Sequence, residues 1–360
     1  MSLHFHPLRV KEVRKETAEC VSVLFEIPEE LKRSFSFVQG QSLTMRIFLN
    51  GEEIRRTYSI CSSPMDQECR VAIKKQENGL FSVFANEKLK AGDTLEVMEP
   101  VGKFYSELDP AHKKNYLAFA AGSGITPVIS IIKTTLRAEP QSSFTLIFGN
   151  RSRSSIIFFE ELEGLKNKFL ERFNLVHILS RERTETPVNY GKINTEKLNE
   201  LSKLIDNSSM DETFICGPEE MIFCVRDFLL QKNISEKKIH FELFTTAEQN
   251  QKSKIKSQKP KAEGGPASKI TIKLDGRMFD VDIPLNSDTV ILDAALQQGA
   301  DLPYACKGGM CCTCKAKLLE GEVTMDVHWG LEEDEIEKGY ILTCQSHPKT
   351  EKVVVDFDIK

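Results

Sequence analysis

No run in this 360-residue chain is both long enough and apolar enough to cross a bilayer. The most apolar stretch, Tyr116 to Ile132, is short for a span and is broken by Gly122, Ser123, Gly124 and Pro127, so it reads as a buried strand, a turn and a helix. The opening residues, Met1-Ser2-Leu3-His4-Phe5-His6-Pro7, lack the basic segment and apolar core of an export signal, and the cytoplasm is the expected compartment. No internal repeat is visible, which sets repeat architectures aside. Five of the ten cysteines (Cys20, Cys61, Cys69, Cys216 and Cys224) are scattered without paired spacing, which argues against a disulfide framework and suits a reducing compartment. With a formal net charge of −5, neither a nucleic acid nor a membrane is an expected partner. At 40% hydrophobic and 28% charged residues, the chain has material for two or three ordinary domains.

What it does have is a set of four cysteines. Cys306, Cys311, Cys314 and Cys344 are spaced Cys-x4-Cys-x2-Cys-x29-Cys, the spacing by which plant-type ferredoxins hold a [2Fe-2S] cluster. Three of them sit on one tight loop, where Gly308 and Gly309 let backbone N–H groups approach sulfide, and the fourth arrives from a distant strand. Four thiolates also hold structural zinc, but such sites usually come as two Cys-x2-Cys knuckles. Cys312 lies between two of the four, yet neighbouring side chains on a tight loop point in different directions, so it reads as a non-ligand. The pattern points to one-electron transfer.

The chain divides by composition. Residues 247–267 include Lys252-Ser253-Lys254-Ile255-Lys256-Ser257-Gln258-Lys259-Pro260-Lys261 and Gly264-Gly265-Pro266, a polar, basic segment without hydrophobic period that reads as a linker. Residues 268–360 carry 17 acidic and 10 basic side chains, against 36 and 38 in residues 1–267, so the cluster block is the acidic one. In residues 1–108, short alternating runs such as Cys20–Phe25 and Ser42–Ile47 predict a small antiparallel barrel. From 113 to 246, strands at 116–120, 144–148, 175–179, 213–216 and 239–244 alternate with amphipathic segments, which predicts a parallel sheet wrapped by helices. Beyond the linker, Ile270–Leu274, the Asp275-Gly276 turn and Phe279–Ile283 predict a hairpin, followed by a helix from Val290 to Gln298.

Ala120-Ala121-Gly122-Ser123-Gly124-Ile125-Thr126-Pro127 follows a strand and opens a helix, with Thr126 as the expected N-cap and Pro127 in the first turn. Phosphate suits such a helix start, where Gly122 and Gly124 permit close backbone approach, but the turn alone is a weak signal. Arg56-Thr57-Tyr58-Ser59-Ile60-Cys61-Ser62 resembles the Arg-x-Tyr-Ser-x-x-Ser signature of ferredoxin-NADP reductase-like flavoproteins. Asn78-Gly79-Leu80-Phe81-Ser82, Pro100-Val101-Gly102-Lys103-Phe104, Cys216-Gly217-Pro218-Glu219-Glu220-Met221 and Glu242-Leu243-Phe244 are similar to further elements of that family, in the same order. One departure is Phe37-Val38-Gln39-Gly40-Gln41, where members often carry Phe-x-Pro-Gly-Gln, so a proline that pre-sets a turn is missing.

The resemblance implies an FAD-binding antiparallel β-barrel, a Rossmann-like nicotinamide domain and a C-terminal β-grasp ferredoxin domain. It implies that Arg56 pairs with the FAD pyrophosphate, with Gly79, Phe81 and Ser82 in a second phosphate element. Tyr58 would lie against the isoalloxazine, Ser59 near flavin N5, and Ser62 would close the motif. Gly122, Gly124 and Thr126 would receive the nicotinamide nucleotide, with Cys216 beside the nicotinamide and Glu242 and Phe244 on the terminal strand. Ser180-Arg181 resembles the segment that holds a 2′-phosphate in NADPH-selective relatives, and Arg151 and Arg153 lie nearby in sequence. NADPH is therefore the expected donor, ahead of NADH. Leu302–Gly309, Leu319–Val323 and Val353–Asp358 are similar to reductases that serve oxygenases. The expected activity is passage of electrons from NAD(P)H through FAD and the cluster to a separate oxygenase component. A reductase for a different oxygenase shares every motif, and a non-catalytic redox sensor keeps the cofactors without rapid turnover.

Overall fold

The structure is a computed structural model that describes residues 4–49, 51–205, 209–244, 267–285 and 287–359. The expected linker, 247–267, lies outside the described residues except for Ala267. The chain forms two compact units, Phe5–Phe244 and a C-terminal one described from Ala267 onward.

The first unit opens with six antiparallel strands: β1 (Phe5–Thr17), β2 (Cys20–Glu26), β3 (Ser42–Leu49), β4 (Glu52–Ser59), β5 (Cys69–Lys74) and β6 (Thr94–Met98), in the order β4-β3-β6-β1-β2-β5. Ile60, just past β4, bridges to Val71 of β5 and closes the sheet into a barrel. Period-two alternation turns Leu43, Met45 and Ile47 of β3, Leu95 and Val97 of β6, and Val71 and Ile73 of β5 into one buried core. One helix, α1 (Leu80–Glu87), packs Phe81 and Ala85 into it. At the turn that lacks the proline, Gln39 in its place donates through Nε2 to Ser106 O at 3.1 Å, and Gln41 Oε1 accepts the Val38 N–H at 3.0 Å.

A parallel sheet follows: β7 (Asn115–Ala121), β8 (Ser143–Asn150), β9 (Phe173–Leu179), β10 (Glu212–Gly217) and β11 (Ile239–Leu243), ordered β11-β10-β7-β8-β9. Helices α2 (Ile125–Ala138), α3 (Phe159–Lys168), α4 (Thr195–Leu201) and α5 (Glu219–Gln231) connect the strands. Both sheet faces are covered, so Tyr116 to Ala120 is buried without alternation. Chain order reverses between β7 and β10, which opens a crevice at their carboxyl ends, the usual ligand position in such sheets.

Helix α2 is buried from Ile125 to Leu136 because the barrel packs against it. Ser130 Oγ donates to Ser62 O at 2.7 Å, the Ser63 and Thr134 hydroxyls meet at 2.9 Å, and Lys133 Nζ pairs with Asp66 at 2.6 Å and Glu161 at 2.7 Å. The expected N-cap role of Thr126 is not what the structure shows. Gly122–Gly124 forms a 3-10 turn, Gly124 caps α2, and Thr126 is its second residue, with Oγ1 donating to Ser123 O at 3.0 Å.

The second unit contains β12 (Ala267–Leu274), β13 (Arg277–Pro284), α6 (Ile291–Gln297), β14 (Lys315–Glu320), β15 (Val323–Met325), α7 (Glu333–Glu337), β16 (Tyr340–Leu342), β17 (Ser346–Pro348) and β18 (Lys352–Asp356). Its main sheet runs β13-β12-β18-β14-β16, with β12 and β18 parallel, and α6 buries Ile291, Leu292, Ala294 and Ala295 against it. This is the expected ferredoxin-type fold, with the hairpin turning at Asp275 (φ 51°) and Gly276 (φ 70°). The acids at 332–335 start α7: Glu332 and Glu335 form a reciprocal cap, Lys315 pairs with Glu335, and Lys338 with Asp334. Among the described residues no helix is long and apolar enough to cross a membrane.

Glu139, fully buried at the end of α2, accepts hydrogen bonds from Asp109 N–H (3.1 Å), Tyr116 Oη (2.9 Å) and Ser142 Oγ (2.7 Å), and contacts His112 Nδ1 at 2.8 Å. Burial pushes its carboxyl upward, but the bonds from Ser142, His112, Asp109 and Tyr116 prevail and hold it below the ordinary carboxylate range. A lowered folded value means stability that is present above the unfolded value of about 4.3 and lost as pH falls through the folded value. Glu139→Gln is expected to cost about 1–3 kcal/mol at pH 7, with the gap narrowing below pH 4. Urea unfolding at both pH values checks this, and an equal gap at both refutes the linkage.

Candidate functional site

The barrel's contribution comes from β4 and the start of α1. Arg56 is half-buried; its Nη1 donates to Arg55 O at 2.8 Å, and among the described residues it pairs with no carboxylate. A guanidinium with donors left over and no carboxylate partner fits a pyrophosphate. Tyr58 lies two residues on, with its ring 5.5 Å from Phe81 of α1, and burial raises its hydroxyl well above the ordinary range. Gly79 caps α1, whose first N–H groups lack helical partners. A Cβ at Gly79 would fall 2.5 Å from Ser82 Oγ, which accepts Gln76 N–H at 3.0 Å and donates to Gly79 O at 3.1 Å. Ser82 thus braces the loop. Ser62 is likewise committed: its hydroxyl donates to Glu68 O at 2.8 Å and accepts Arg70 N–H at 3.1 Å.

At the crevice, Ser59 Oγ donates to Glu242 Oε2 at 3.1 Å, joining β4 to β11 across 183 residues of sequence. Glu242 pairs in register with Cys216 on β10, so Ser59, Glu242 and Cys216 are brought together. Cys216 is fully buried, and burial, then the Glu242 charge, pushes its thiol well up, so it stays neutral and is no nucleophile. Phe244, just past β11, is 39% exposed and makes no ring contact among the described residues.

The two glycines of the turn differ in role. A Cβ at Gly124 would stand 2.0 Å from Cys216 O, so this glycine is required by packing. Gly122 has φ 54°, and a Cβ there would meet only Lys74 Nζ, at 3.7 Å. Its open side faces a cation that sequence reading passed over, because Lys74 sits at the end of a barrel strand outside every motif. Farther along the sheet edge, Ser180 N and Oγ both donate to Asn150 O (2.9 and 3.3 Å), and Arg181 N donates to Arg151 O at 2.8 Å. Arg151, Arg153 and Arg181 are exposed on these adjoining turns; Arg153 stacks on Phe159 at 4.6 Å, and Glu182 accepts its backbone N–H at 2.8 Å. A cleft of about 660 Å³ lies elsewhere, between β1 and α3, where Arg70 and Lys133 are already paired with Glu12 and Glu161.

In the C-terminal unit, positive φ at Lys307, Gly309 and Cys312 curls the 306–314 loop. Cys306 Sγ accepts N–H bonds from Gly308 (3.3 Å) and Cys311 (3.5 Å). Cys344 follows β16, and both it and Cys314 are buried. The Cys306 N–H also reaches Cys311 Sγ at 3.5 Å. The Cys311 thiol, with the N–H groups of Gly308 and Cys311, brings Cys306 down to about 6, while partner thiols and burial push Cys311 and Cys314 up. Four thiols, three on one curled loop and one beyond β16, are the donor set a [2Fe-2S] cluster takes. Cys312 instead donates to Gly330 O at 2.7 Å.

Three family patterns match this chain in order: "Oxidoreductase FAD-binding domain" over residues 7–105, "Oxidoreductase NAD-binding domain" over 119–227 and "2Fe-2S iron-sulfur cluster binding domain" over 272–349. Fold and site together define a nicotinamide-dependent flavin and iron–sulfur oxidoreductase whose cofactors are FAD and a [2Fe-2S] cluster, with NAD(P)H as donor. The chain is 45% identical to one subunit of the 1,2-phenylacetyl-CoA epoxidase of Escherichia coli K12, covering 99% of this chain and 98% of that one. It is 32% identical to the ferredoxin reductase component of 3-ketosteroid-9-alpha-monooxygenase from Rhodococcus rhodochrous, covering 97% and 96%. Among solved structures, phthalate dioxygenase reductase shares the fold, with TM-score 0.58, 24% identity and 98% of each chain covered. The chain belongs to the family of reductase components of oxygenases that these two sequence relatives represent.

Cys344→Ser is expected to strip iron and acid-labile sulfide from the purified protein while FAD is retained, and Cys312→Ser to keep all three. Iron, sulfide and flavin analysis of anaerobically prepared protein checks this, and the opposite pattern reassigns the fourth ligand.

Proposed function

We propose that this chain is the electron-supplying component of a phenylacetyl-CoA-epoxidising system, taking hydride from NADPH and delivering single electrons to a separate di-iron oxygenase. The observation that carries the reading is the 45% identity over 99% of the chain to an epoxidase subunit, against 32% to the ketosteroid monooxygenase reductase. The proposed division is an FAD barrel at 1–108, a nicotinamide domain at 113–246, a linker at 247–267 and a ferredoxin domain at 268–360. The ranges of the family patterns support it.

FAD, when bound, supplies the conversion between a two-electron donor and a one-electron cluster. The chain's own groups hold and orient the reactants. Arg56 and the N–H groups at the start of α1 would hold the FAD pyrophosphate, and the Tyr58 ring would offer its face to the flavin. Gly122 exposes backbone at the crevice, where Lys74 adds positive charge, while Gly124 and Thr126 shape the turn. Cys216, small and neutral, would lie behind the nicotinamide site, and Phe244, exposed just past β11, would be available to cover the flavin. Ser59, oriented by its bond to Glu242, would present a hydroxyl to the bound flavin. Cys306, Cys311, Cys314 and Cys344 ligate the cluster. Ser62 and Ser82 act by bracing the loops that carry their neighbours.

The experiment that tests the reading is reconstitution with purified epoxidase oxygenase subunits. Turnover of phenylacetyl-CoA supported by this chain and NADPH is expected; coupling only to a different oxygenase overturns it, and failure to reduce cytochrome c with either nucleotide leaves the sensor reading in its place. For the donor, Ser180 and Arg181 beside Arg151 favour a 2′-phosphate. Arg181→Ala is expected to lower kcat/KM for NADPH about ten- to hundredfold, the size of one lost charged hydrogen bond, and to leave NADH little changed. Equal losses with both nucleotides, or a wild-type preference for NADH, refute it.

A further inference from the structure

Gln345 lies directly after Cys344 and is 7% exposed. Its Nε2 donates to Lys307 O at 2.9 Å, to Cys344 O at 2.8 Å and to Cys344 Sγ at 3.5 Å. Lys307 belongs to the loop between the first two cysteines, so one buried amide spans both halves of the donor set. All three neighbours are acceptors, which places the NH2 end of the amide toward them. The two amide hydrogens divide naturally, one to Lys307 O and one shared between the oxygen and sulfur of Cys344. The residue is itself held: Gln345 N donates to Leu342 O at 2.9 Å, and Gln345 O accepts Asp326 N–H at 3.0 Å. Its Cγ leaves no spare room above Gly309, where a Cβ would stand only 3.3 Å away.

We propose that Gln345 is a positioning residue that sets the reduction potential of the cluster, by aiming an N–H dipole at the Cys344 sulfur and by locking the fourth ligand to the loop of the other three. This rests on the reading of Cys344 as a ligand. Reduction adds one negative charge to the cluster, and a buried N–H directed at a ligand sulfur stabilises that charge more in the reduced state than in the oxidised one. The consequence is a higher potential and easier acceptance of an electron from the flavin side.

Gln345→Met keeps the chain length and removes the donor. The full-length holoprotein of this variant is expected to retain iron, sulfide and FAD, while its cluster becomes about tenfold harder to reduce at equilibrium, which is about 59 mV in the negative direction for one electron. Spectroelectrochemical titration reads this. An unchanged potential in a fully loaded variant overturns the proposal, because a purely structural amide would lower thermal stability alone. Should the variant not assemble its cluster, wild-type protein labelled with ¹⁵N only in glutamine side chains keeps the question open to test. Pulsed EPR of the reduced cluster is expected to show a weak ¹⁵N coupling, and its absence overturns the proposal. Failure of the ligand reading is seen separately, as a cluster retained in Cys344→Ser.

Discussion

The nicotinamide side of the molecule depends on one close backbone approach, Gly124 against the carbonyl of Cys216. Any side chain at 124 would stand 2.0 Å from that oxygen, so the end of β10 is held against the start of α2 only because a hydrogen occupies the space. That contact shapes the crevice between β7 and β10, and it keeps Cys216 and its register partner Glu242 at the level of the phosphate-type turn. The Ser59–Glu242 bond then joins the barrel to the same edge. Helix α2 adds the second restraint: its serine and threonine hydroxyls and the paired Lys133 fasten it to the barrel loop at 62–66. A buried lysine is costly unless fully paired, and here two carboxylates flank it.

The cluster unit solves a different problem. A curled loop at 306–314 turns backbone N–H groups toward sulfur, and Gly309 is forced by Val327, whose Cγ2 would lie 2.7 Å from any Cβ there. Such donors favour thiolate, the form that binds iron. Placing the unit's acid excess partly in a self-capped helix start, with Lys315 and Lys338 paired to it, stabilises α7 without any partner.

Much of this was legible in the chain. Strand and helix order followed from hydrophobic period, and the hairpin at Asp275-Gly276 from its turn residues, because such preferences act over a few neighbouring residues. The iron–sulfur domain was equally plain, since a loop that must wrap a small inorganic core constrains its cysteines by covalent spacing. Thr126 shows the limit of local rules: a capping residue was present, but the 3-10 turn at Gly122–Gly124 moved the helix start back and left Thr126 inside it.

Hydrophobic period and composition thus separated three successive folds, motif resemblance implied their cofactor classes, and cysteine spacing singled out four candidate ligands. Tertiary structure decided which polar groups are free to act. Ser62 and Ser82 sit in motifs yet spend their hydroxyls on neighbouring backbone, whereas Lys74 and Gln345 lie outside the motifs and reach the Gly122 turn and the Cys344 sulfur. Ser59 and Glu242 meet across 183 residues. The reason is physical: spacing along the chain governs only what one loop or one helix can bring together, while a hydrogen bond between distant segments exists only after packing has fixed both backbones and excluded the water that would otherwise satisfy them.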